Sequence, residues 1–373
     1  MYSIRLCRDR KEERLFESLP ERLHGLDPAF IPPFPGSIVK YLSPKSAFNR
    51  LSGEIYPFLA WREGKPVGRI AAIINHAHNE RYRDRTGFFG FFDCEDNLEL
   101  ARELFDAAGT ILRARNRECL RGPYNPSIND ECGLLVEGFE HPPCLGLCWN
   151  PEYQKTLIEQ LGFRVVCRSL GYLLPLHRLD APERLRRIVE RLVKRANLKL
   201  RPIKMSKLEE ELKIVQEIYN STLERNWGFV PITMDELLAS ADDMKAFADP
   251  KMMLIAEVNG ENAGVALSLP NFNEILARVK KTPALLRLPH ILWLMKTHRI
   301  DWVRQVVLGI SPRFRDRGLH AWLLYEQFVS AKRRYSNATL GWIEESNKEI
   351  IENSLMVGGI QQQEWRIYEK SLS

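Results

Sequence analysis

Residues 303–335, VRQVVLGISPRFRDRGLHAWLLYEQFVSAKRRY, constrain the fold of this chain more than any other stretch. The apolar run at 306–310 has the character of a buried strand and is ended by Ser311-Pro312. A basic turn follows, carrying Arg313, Arg315, Arg317 and Gly318. Apolar residues then recur at Ala321, Leu324, Phe328, Ala331 and Tyr335, in alternating steps of three and four, which is helical spacing. The stretch therefore reads as strand, basic turn and amphipathic helix. The first N–H groups of a helix lack intrahelical partners and sit at the positive end of its dipole, so such a turn can hold an anion. Flanking arginines point to phosphate.

The rest of the chain repeats one order of elements. The first series has a strand at 3–7, a helix at 11–23 and two strands at 57–62 and 67–75 joined by Glu63-Gly64-Lys65. It continues with a strand at 86–93, a helix at 98–117, a strand at 118–122, a helix opened by Asn150-Pro151-Glu152, and strand character at 163–176. The second series runs from a strand at 198–203 through helices at 207–224 and 235–247 to a hairpin around Asn259-Gly260. Strand 303–310, helix 317–335, strand 338–343, helix 348–357 and strand 362–370 complete it. A strand–helix–strand crossover in each series implies a parallel pair, and each hairpin adds antiparallel ones. The expectation is an α/β fold with mixed (α+β) sheets in two domains of one topology, 1–180 and 198–373, joined by a basic helix at 181–197. That helix offers Leu185, Ile188, Leu192 and Val193 as its apolar face. A length of 373 residues suits two domains. The proline-rich segment 26–44 is expected to lack regular structure.

Composition narrows the function classes. A hydrophobic fraction of 45% and a charged fraction of 27% belong to an ordinary soluble protein. The net charge of +6 is mild for this length and does not indicate nucleic acid. The 7 cysteines are scattered without a CxxC pair, so neither a disulfide framework nor a metal site is expected, although His141, Cys144 and Cys148 lie close in sequence. The N-terminal MYSIRLCRDRKEE lacks an apolar core, and no run approaches the ~18 apolar residues of a spanning helix. The expected location is cytoplasmic, with peripheral contact to the inner membrane considered below.

The element order and the 303–335 stretch together resemble the GNAT (Gcn5-related N-acetyltransferase) superfamily. That family's fourth strand ends in valine, with proline two residues on, arginine or glutamine three further, glycine three further, and glycine or alanine two beyond. Here Ile310, Pro312, Arg315 and Gly318 fit the frame, and His320 departs from it. Asn347 after ATLGWIEES, and the closing GGIQQQEWRIYEK, are similar to family features downstream. The resemblance covers about residues 198–371 in signature and the whole chain in element order. The arrangement looks like that of tandem-GNAT bacterial N-acyltransferases. In the first series the equivalent strand ends at Asp93, Glu95 and Asp96, whose negative charge is expected to repel a pyrophosphate, so that copy is expected to lack a cofactor site.

The resemblance implies roles for particular residues. Backbone at Leu308, Gly309 and Ile310 would pair with the pantetheine arm of an acyl-CoA donor, acetyl-CoA or a longer one. The turn and helix start at Arg315, Asp316, Arg317, Gly318, Leu319 and His320 would hold its pyrophosphate, with Asn347 nearby. The fourth strand, VRQVVLGI, carries no acid that could serve as base, so Glu344, with Glu345 and Glu257, is a candidate base, and Tyr368 is a candidate acid for the leaving thiolate. Asn226 and Trp227, with Tyr124 and Asn125 of the first series, are candidate substrate contacts. No metal is implied.

Between the third and fourth strands of the second series lies an insertion, 270–302, rich in leucine and in basic residues. Apolar bulk beside positive charge at 280–299 suits a membrane surface or a long acyl chain, against a plainer reading as a helical cap. The expected activity is N-acyl transfer from acyl-CoA to a small-molecule or lipid amine. The alternatives are an aminoacyl-tRNA-dependent transferase of the Fem type and a non-catalytic acyl-CoA-binding protein.

Overall fold

A computed structural model describes residues 2–195, 197–315 and 317–372. The first series forms strand β1 (Ser3–Leu6), helix α1 (Arg10–His24), strands β2 (Gly53–Arg62), β3 (Lys65–Asn75) and β4 (Thr86–Cys94), and helix α2 (Leu98–Ala114). Strands β5 (Cys119–Gly122) and β6 (Leu134–Glu137), helix α3 (Tyr153–Gln160) and strand β7 (Arg164–Leu174) follow. Helix α4 (Glu183–Arg195) leads to strand β8 (Leu198–Pro202), helices α5 (Leu208–Leu223) and α6 (Met234–Met244), and strands β9 (Met253–Val258) and β10 (Glu261–Pro270). The insertion is two helices, α7 (Asn273–Val279) and α8 (Ala284–Thr297). Strand β11 (Trp302–Ile310), helix α9 (Leu319–Lys332), strand β12 (Asn337–Glu344), helix α10 (Lys348–Met356) and strand β13 (Ile360–Ser371) close the chain.

Local chemistry accounts for many of these boundaries. Asp9 caps α1 by accepting from the Lys11 and Glu12 amides, and Asn97 caps α2 through Leu100. Thr233 and Glu236 form a capping box on α6. The two hairpins turn at Glu63-Gly64 and Asn259-Gly260, all four residues at positive φ, as a type I′ turn requires. One expectation fails in the proline-rich segment. In the proline-free interval between Pro35 and Pro44, Ser37–Leu42 forms a short helix. On α4 the apolar face is rotated from the expected one: Leu185 and Val189 are buried, and Val193 is exposed.

The chain forms two compact units, neither continuous in sequence. One comprises Met1–Ser169, Ile275–Leu294 and Gln363–Ser373, and the other Leu170–Glu274 and Met295–Gln362. In the first, strands run in the order β1-β2-β3-β4-β5-β13, with β6 also on β13. Its core joins Ile70, Phe89, Leu100, Leu104, Phe105 and Phe163. In the second, the order is β7-β12-β11-β10-β9-β8. Helix α9 covers one face through Leu319, Trp322 and Leu323, and α5 supplies Val215 and Ile218 to the cluster around Ile255 and Val265. Among the described residues, no helix is long and apolar enough to cross a membrane.

The first unit also buries a charged network. The Asp93 carboxylate accepts from Arg69 Nε at 2.9 Å and Nη2 at 2.7 Å, and meets His24 Nε2 at 3.1 Å and Gln154 Nε2 at 3.2 Å. Arg69 also donates to the Phe16 carbonyl on α1 at 2.7 Å. Burial alone would raise the Asp93 carboxyl; Arg69 and His24 outweigh it and hold it below the usual carboxylate range. Asp93→Asn leaves Arg69 without its counter-charge in a dry site. It is expected to cost about 3–5 kcal/mol in urea denaturation, and an unchanged midpoint would refute this. Because the folded-state pKa is depressed, the network's contribution is complete above the unfolded carboxyl's value of about 3.9 and is lost as pH falls through the folded one.

Candidate functional site

The site in the second unit begins where β11 leaves β12. The two strands pair in parallel from Trp302↔Asn337 to Gln305↔Leu340. Beyond that point β11 runs on to Ile310 and β12 to Glu344 without a ladder between them. The cause lies on the other edge of β11. Its register against β10 passes from Ser268↔Gln305 to Leu267↔Val307, so Val306 is an extra residue. Such a bulge bends its strand and increases the local twist. β11 then stays with β10 to Gly264↔Ile310 and diverges from β12, opening a wedge edged by the backbone of Leu308, Gly309 and Ile310. The strand is pinned from α5. A Cβ on Gly309 would lie 2.9 Å from Thr222 Oγ1, and that hydroxyl donates to the Ile310 carbonyl at 3.2 Å.

Below the wedge, Pro312–Phe314 makes one 3₁₀ turn and Gly318 enters α9 with φ of 76°. Gly318 at the N-cap has no side chain with which to cap α9, and the N–H groups of Leu319 and His320, at the start of the helix, have no intrahelical acceptor. The arginines are placed differently from one another. Arg315 turns inward, its Nη2 3.2 Å from the Ser221 carbonyl at the C-terminal end of α5. Arg313 pairs with Glu261. Arg317 is exposed and lies 5.5 Å from the Phe314 ring centroid. Asp316 lies outside the described residues. The His320 imidazole reaches toward α10, with Nδ1 3.5 Å from Glu349. Asn347 caps α10 by accepting from the Ile350 amide at 3.3 Å.

At the far end of β12, Glu344 Oε2 accepts the Trp227 N–H at 3.1 Å. The candidate base and the Asn226-Trp227 loop are thus brought together, and that loop leaves α5 just after Thr222. Two features of this region escaped sequence reasoning. Thr222 had no motif to mark it. Trp342, on the part of β12 beyond its pairing with β11, has a buried indole N–H without an acceptor among the described residues. Glu257, also an acid of this unit, is engaged by Arg201 at 2.6 Å.

The other candidates belong to the first unit. Tyr368 is 0% exposed, lies in the core cluster of β13 and α2, and donates to Glu159 at 2.9 Å, so burial and this bond occupy it there. Tyr124 is buried edge-on against Phe88, ring centroids 5.0 Å apart. Asn125 Oδ1 accepts the Phe91 N–H at 2.6 Å.

These two residues fill a second copy of the same opening. β4 and β5 pair in parallel only from Thr86↔Cys119 to Phe88↔Arg121, and β4 also slips register against β3, between Ala71↔Gly90 and Arg69↔Asp93. Gly90 is so close to the Tyr124 carbonyl that a Cβ would stand 1.6 Å from its oxygen. Cys94 faces Gly68 as Ile310 faces Gly264, so Asp93 stands where the second unit has Gly309. The acids expected to repel a phosphate are themselves paired, Asp93 with Arg69 and Glu95 with Arg62. The copies differ by filling rather than by loose negative charge. No group of three or more His, Cys, Asp or Glu gathers in metal-binding geometry among the described residues.

No family model matches the chain. Its structure is similar to a tandem GNAT protein from the clavulanic acid biosynthesis pathway, with a TM-score of 0.58 and 11% identity over 100% of this chain and 99% of that one. A GCN5-related N-acetyltransferase from Sphaerobacter thermophilus gives a TM-score of 0.52 at 13% identity, covering 100% and 96%. The fold is that of tandem GNAT proteins. In sequence the chain is 32% identical over 370 residues to the bacterial ceramide synthase of Caulobacter vibrioides, covering 97% of this chain and 95% of that protein. The chain belongs to that protein's family and is an acyltransferase. Protein YghO of Escherichia coli is 29% identical over 375 residues, covering 99% and 95%.

The tie between Glu344 and the Trp227 loop has a direct readout. A hydrogen bond to a charged acceptor is worth about 1.5–3 kcal/mol. Glu344→Ala should therefore speed hydrogen exchange at the Trp227 amide by about tenfold or more. Unchanged exchange would show that the loop is held by other contacts.

Proposed function

We propose that the second unit binds acyl-CoA and transfers its acyl group to the amine of a long-chain, lipidic acceptor. One observation carries the donor side: a strand edge freed by the Val306 bulge leads into a helix start whose N-cap, Gly318, offers no capping side chain. A pantetheine arm carries amides that complement such an edge. A pyrophosphate suits the N–H groups of Gly318, Leu319 and His320, with Arg317 at the solvent side. His320 leaves room for it because its ring is turned toward Glu349. The acceptor class is supported by the Caulobacter relative, which is named a ceramide synthase; a ceramide is the amide of a fatty acid and a long-chain amino alcohol.

The chemistry asks little of the protein, because a thioester is already activated. The neutral amine attacks the thioester carbonyl, the C–N bond forms, the C–S bond breaks, and CoA leaves as the thiolate. Glu344, directly or through a water, is the group we assign to take the amine proton. The carbonyl oxygen gains negative charge during attack. Backbone N–H groups on the β11 edge, or the unpartnered Trp342 indole N–H, are the available donors. Tyr368 takes no part in this route, and thiolate protonation is left to solvent.

Thiol release with acyl-CoA donors from acetyl to palmitoyl, and a long-chain amino alcohol as acceptor, tests the reading. Long-chain donors are expected to turn over, and Glu344→Gln should lower kcat about 100-fold or more while leaving KM nearly unchanged. Glutamine keeps an oxygen for the Trp227 amide, which separates the base from the tether. Tight CoA binding without turnover of any donor would replace transfer by binding alone. For the pyrophosphate contact, Gly318→Ala forces a side chain into the left-handed region at a cost of about 1–2 kcal/mol. Roughly tenfold weaker CoA binding by calorimetry is expected. The nearest atoms to that Cβ are 3.7 Å away, so the loss would be conformational rather than steric.

A further inference from the structure

Helix α8 is apolar on both sides. Successive residues of a helix advance by about 100°, so Leu285, Leu288, Leu292 and Lys296 share one stripe, flanked by Leu286 and Trp293. Arg287, Ile291 and Leu294 fall on the opposite side. The structure follows this division. Ile291 and Leu294 are buried, while Leu285 is 93% exposed, Leu286 60%, Leu288 48%, Leu292 53% and Trp293 59%. Single exposed leucines are ordinary. Large apolar residues at three- and four-residue spacing on one helix make a contiguous patch, and that is not ordinary.

The inner side is anchored rather than loosely laid. Arg287 makes a bidentate contact to Glu21 of α1, at 2.9 and 2.6 Å, and Lys280 donates to the Asp27 carbonyl and lies 5.4 Å from the Phe30 ring centroid. These partners all lie in the first unit, to which 275–294 belongs. The charges divide in the same way as the apolar residues. No acidic residue occurs between Glu274 and Asp301. The inward Arg287 is neutralised by α1, while Lys281 before the helix and Lys296 in its last turn are exposed.

We propose that α8 docks this enzyme on a bilayer bearing anionic headgroups, its leucines and Trp293 entering the interface and Lys281 and Lys296 meeting the headgroups. The charge pattern selects this occupant. A second copy of the chain in a two-fold contact would set the same cationic, acid-free segment against itself. An anionic lipid surface complements both parts of the patch, and tryptophan favours the interfacial layer. The inference deepens the reading of a lipidic acceptor, because it gives the segment 280–299 a surface on which such an acceptor is found. Its support in the helix geometry does not depend on the chemistry.

Co-sedimentation of the full chain with vesicles tests it, using phosphatidylcholine alone and phosphatidylcholine with phosphatidylglycerol. Binding is expected to be at least about tenfold tighter with phosphatidylglycerol present, and to weaken with salt. A Leu288→Ser, Leu292→Ser, Trp293→Ser variant should lose about tenfold or more on both vesicles, with an unchanged melting curve because the three side chains are exposed. Lys281→Gln with Lys296→Gln should remove most of the preference for phosphatidylglycerol. Failure of the parent chain to bind either vesicle overturns the proposal, as does equal binding by the serine variant. A dimer in solution that the serine substitutions break, in a chain that ignores vesicles, assigns the face to a second copy instead. The assay uses no donor or acceptor, so its failure leaves acyl transfer standing, and failure of transfer leaves docking standing.

Discussion

A parallel strand pair that stops exchanging hydrogen bonds partway along must satisfy the remaining peptide groups in some other way. A polar backbone group left dry and unpaired costs as much as a lost hydrogen bond. This constraint organises both units. In each, the strand before the crossover helix carries a register slip against its antiparallel neighbour and parts from its parallel neighbour after a few pairs. The slip supplies the bend, and the bend creates the unmet demand.

The two units meet that demand with opposite chemistry. In the first, the chain answers from within. Asn125 takes the Phe91 N–H, the Tyr124 backbone closes on Gly90, and a side chain at Asp93 reaches inward to Arg69 and His24. In the second, the corresponding position is Gly309, α5 fills only its rear through Thr222, and the β12-facing edge is left for a ligand on the proposed reading. Part of the contrast is one residue, the Asp93 carboxylate where the second unit has the bare Gly309. A buried carboxylate needs partners, and a guanidinium, a histidine and a glutamine surround Asp93, so the filled copy holds an ion pair in its interior.

Much of the second unit was legible because its signals are local. The alternating spacing from Ala321 to Tyr335, the Asn259-Gly260 turn, Pro312 and Gly318 each act within a few residues, and strand β11, the hairpin and helix α9 formed where these placed them. What stayed hidden depends on partners distant in sequence. Strand character at 362–370 said nothing of which unit β13 would join, so Tyr368 could not be foreseen in the core of the first. Arg315 fits the phosphate motif in sequence, yet the carbonyl groups ending α5 claim its side chain, and no spacing rule reports that. The Val306 bulge was equally silent, since an extra residue in a ladder shows only once both strands are paired. Asp93 was legible as charge but not as a buried, compensated one, because Arg69 and His24 reach it from β3 and α1.

A wedge lined by peptide groups and closed by a helix terminus is nearly blind to side-chain identity. Leu308 and Ile310 need only pack, and Gly309 need only be absent of bulk, for the backbone to offer the same donors and acceptors. On the proposed reading that suits a donor arm common to every acyl-CoA, and it leaves acceptor identity to be read elsewhere. Within the second unit the candidates on that reading are the Asn226–Gly228 loop, whose Trp227 N–H meets the Glu344 carboxylate, and the end of β12 beyond its pairing with β11, with Trp342 and Glu344. The same loop leaves α5 beside Thr222, the residue that pins the donor edge. A movement of this loop would therefore strain Glu344 and Thr222 together. On the proposed reading, that adjacency would couple acceptor entry to the geometry of the donor strand.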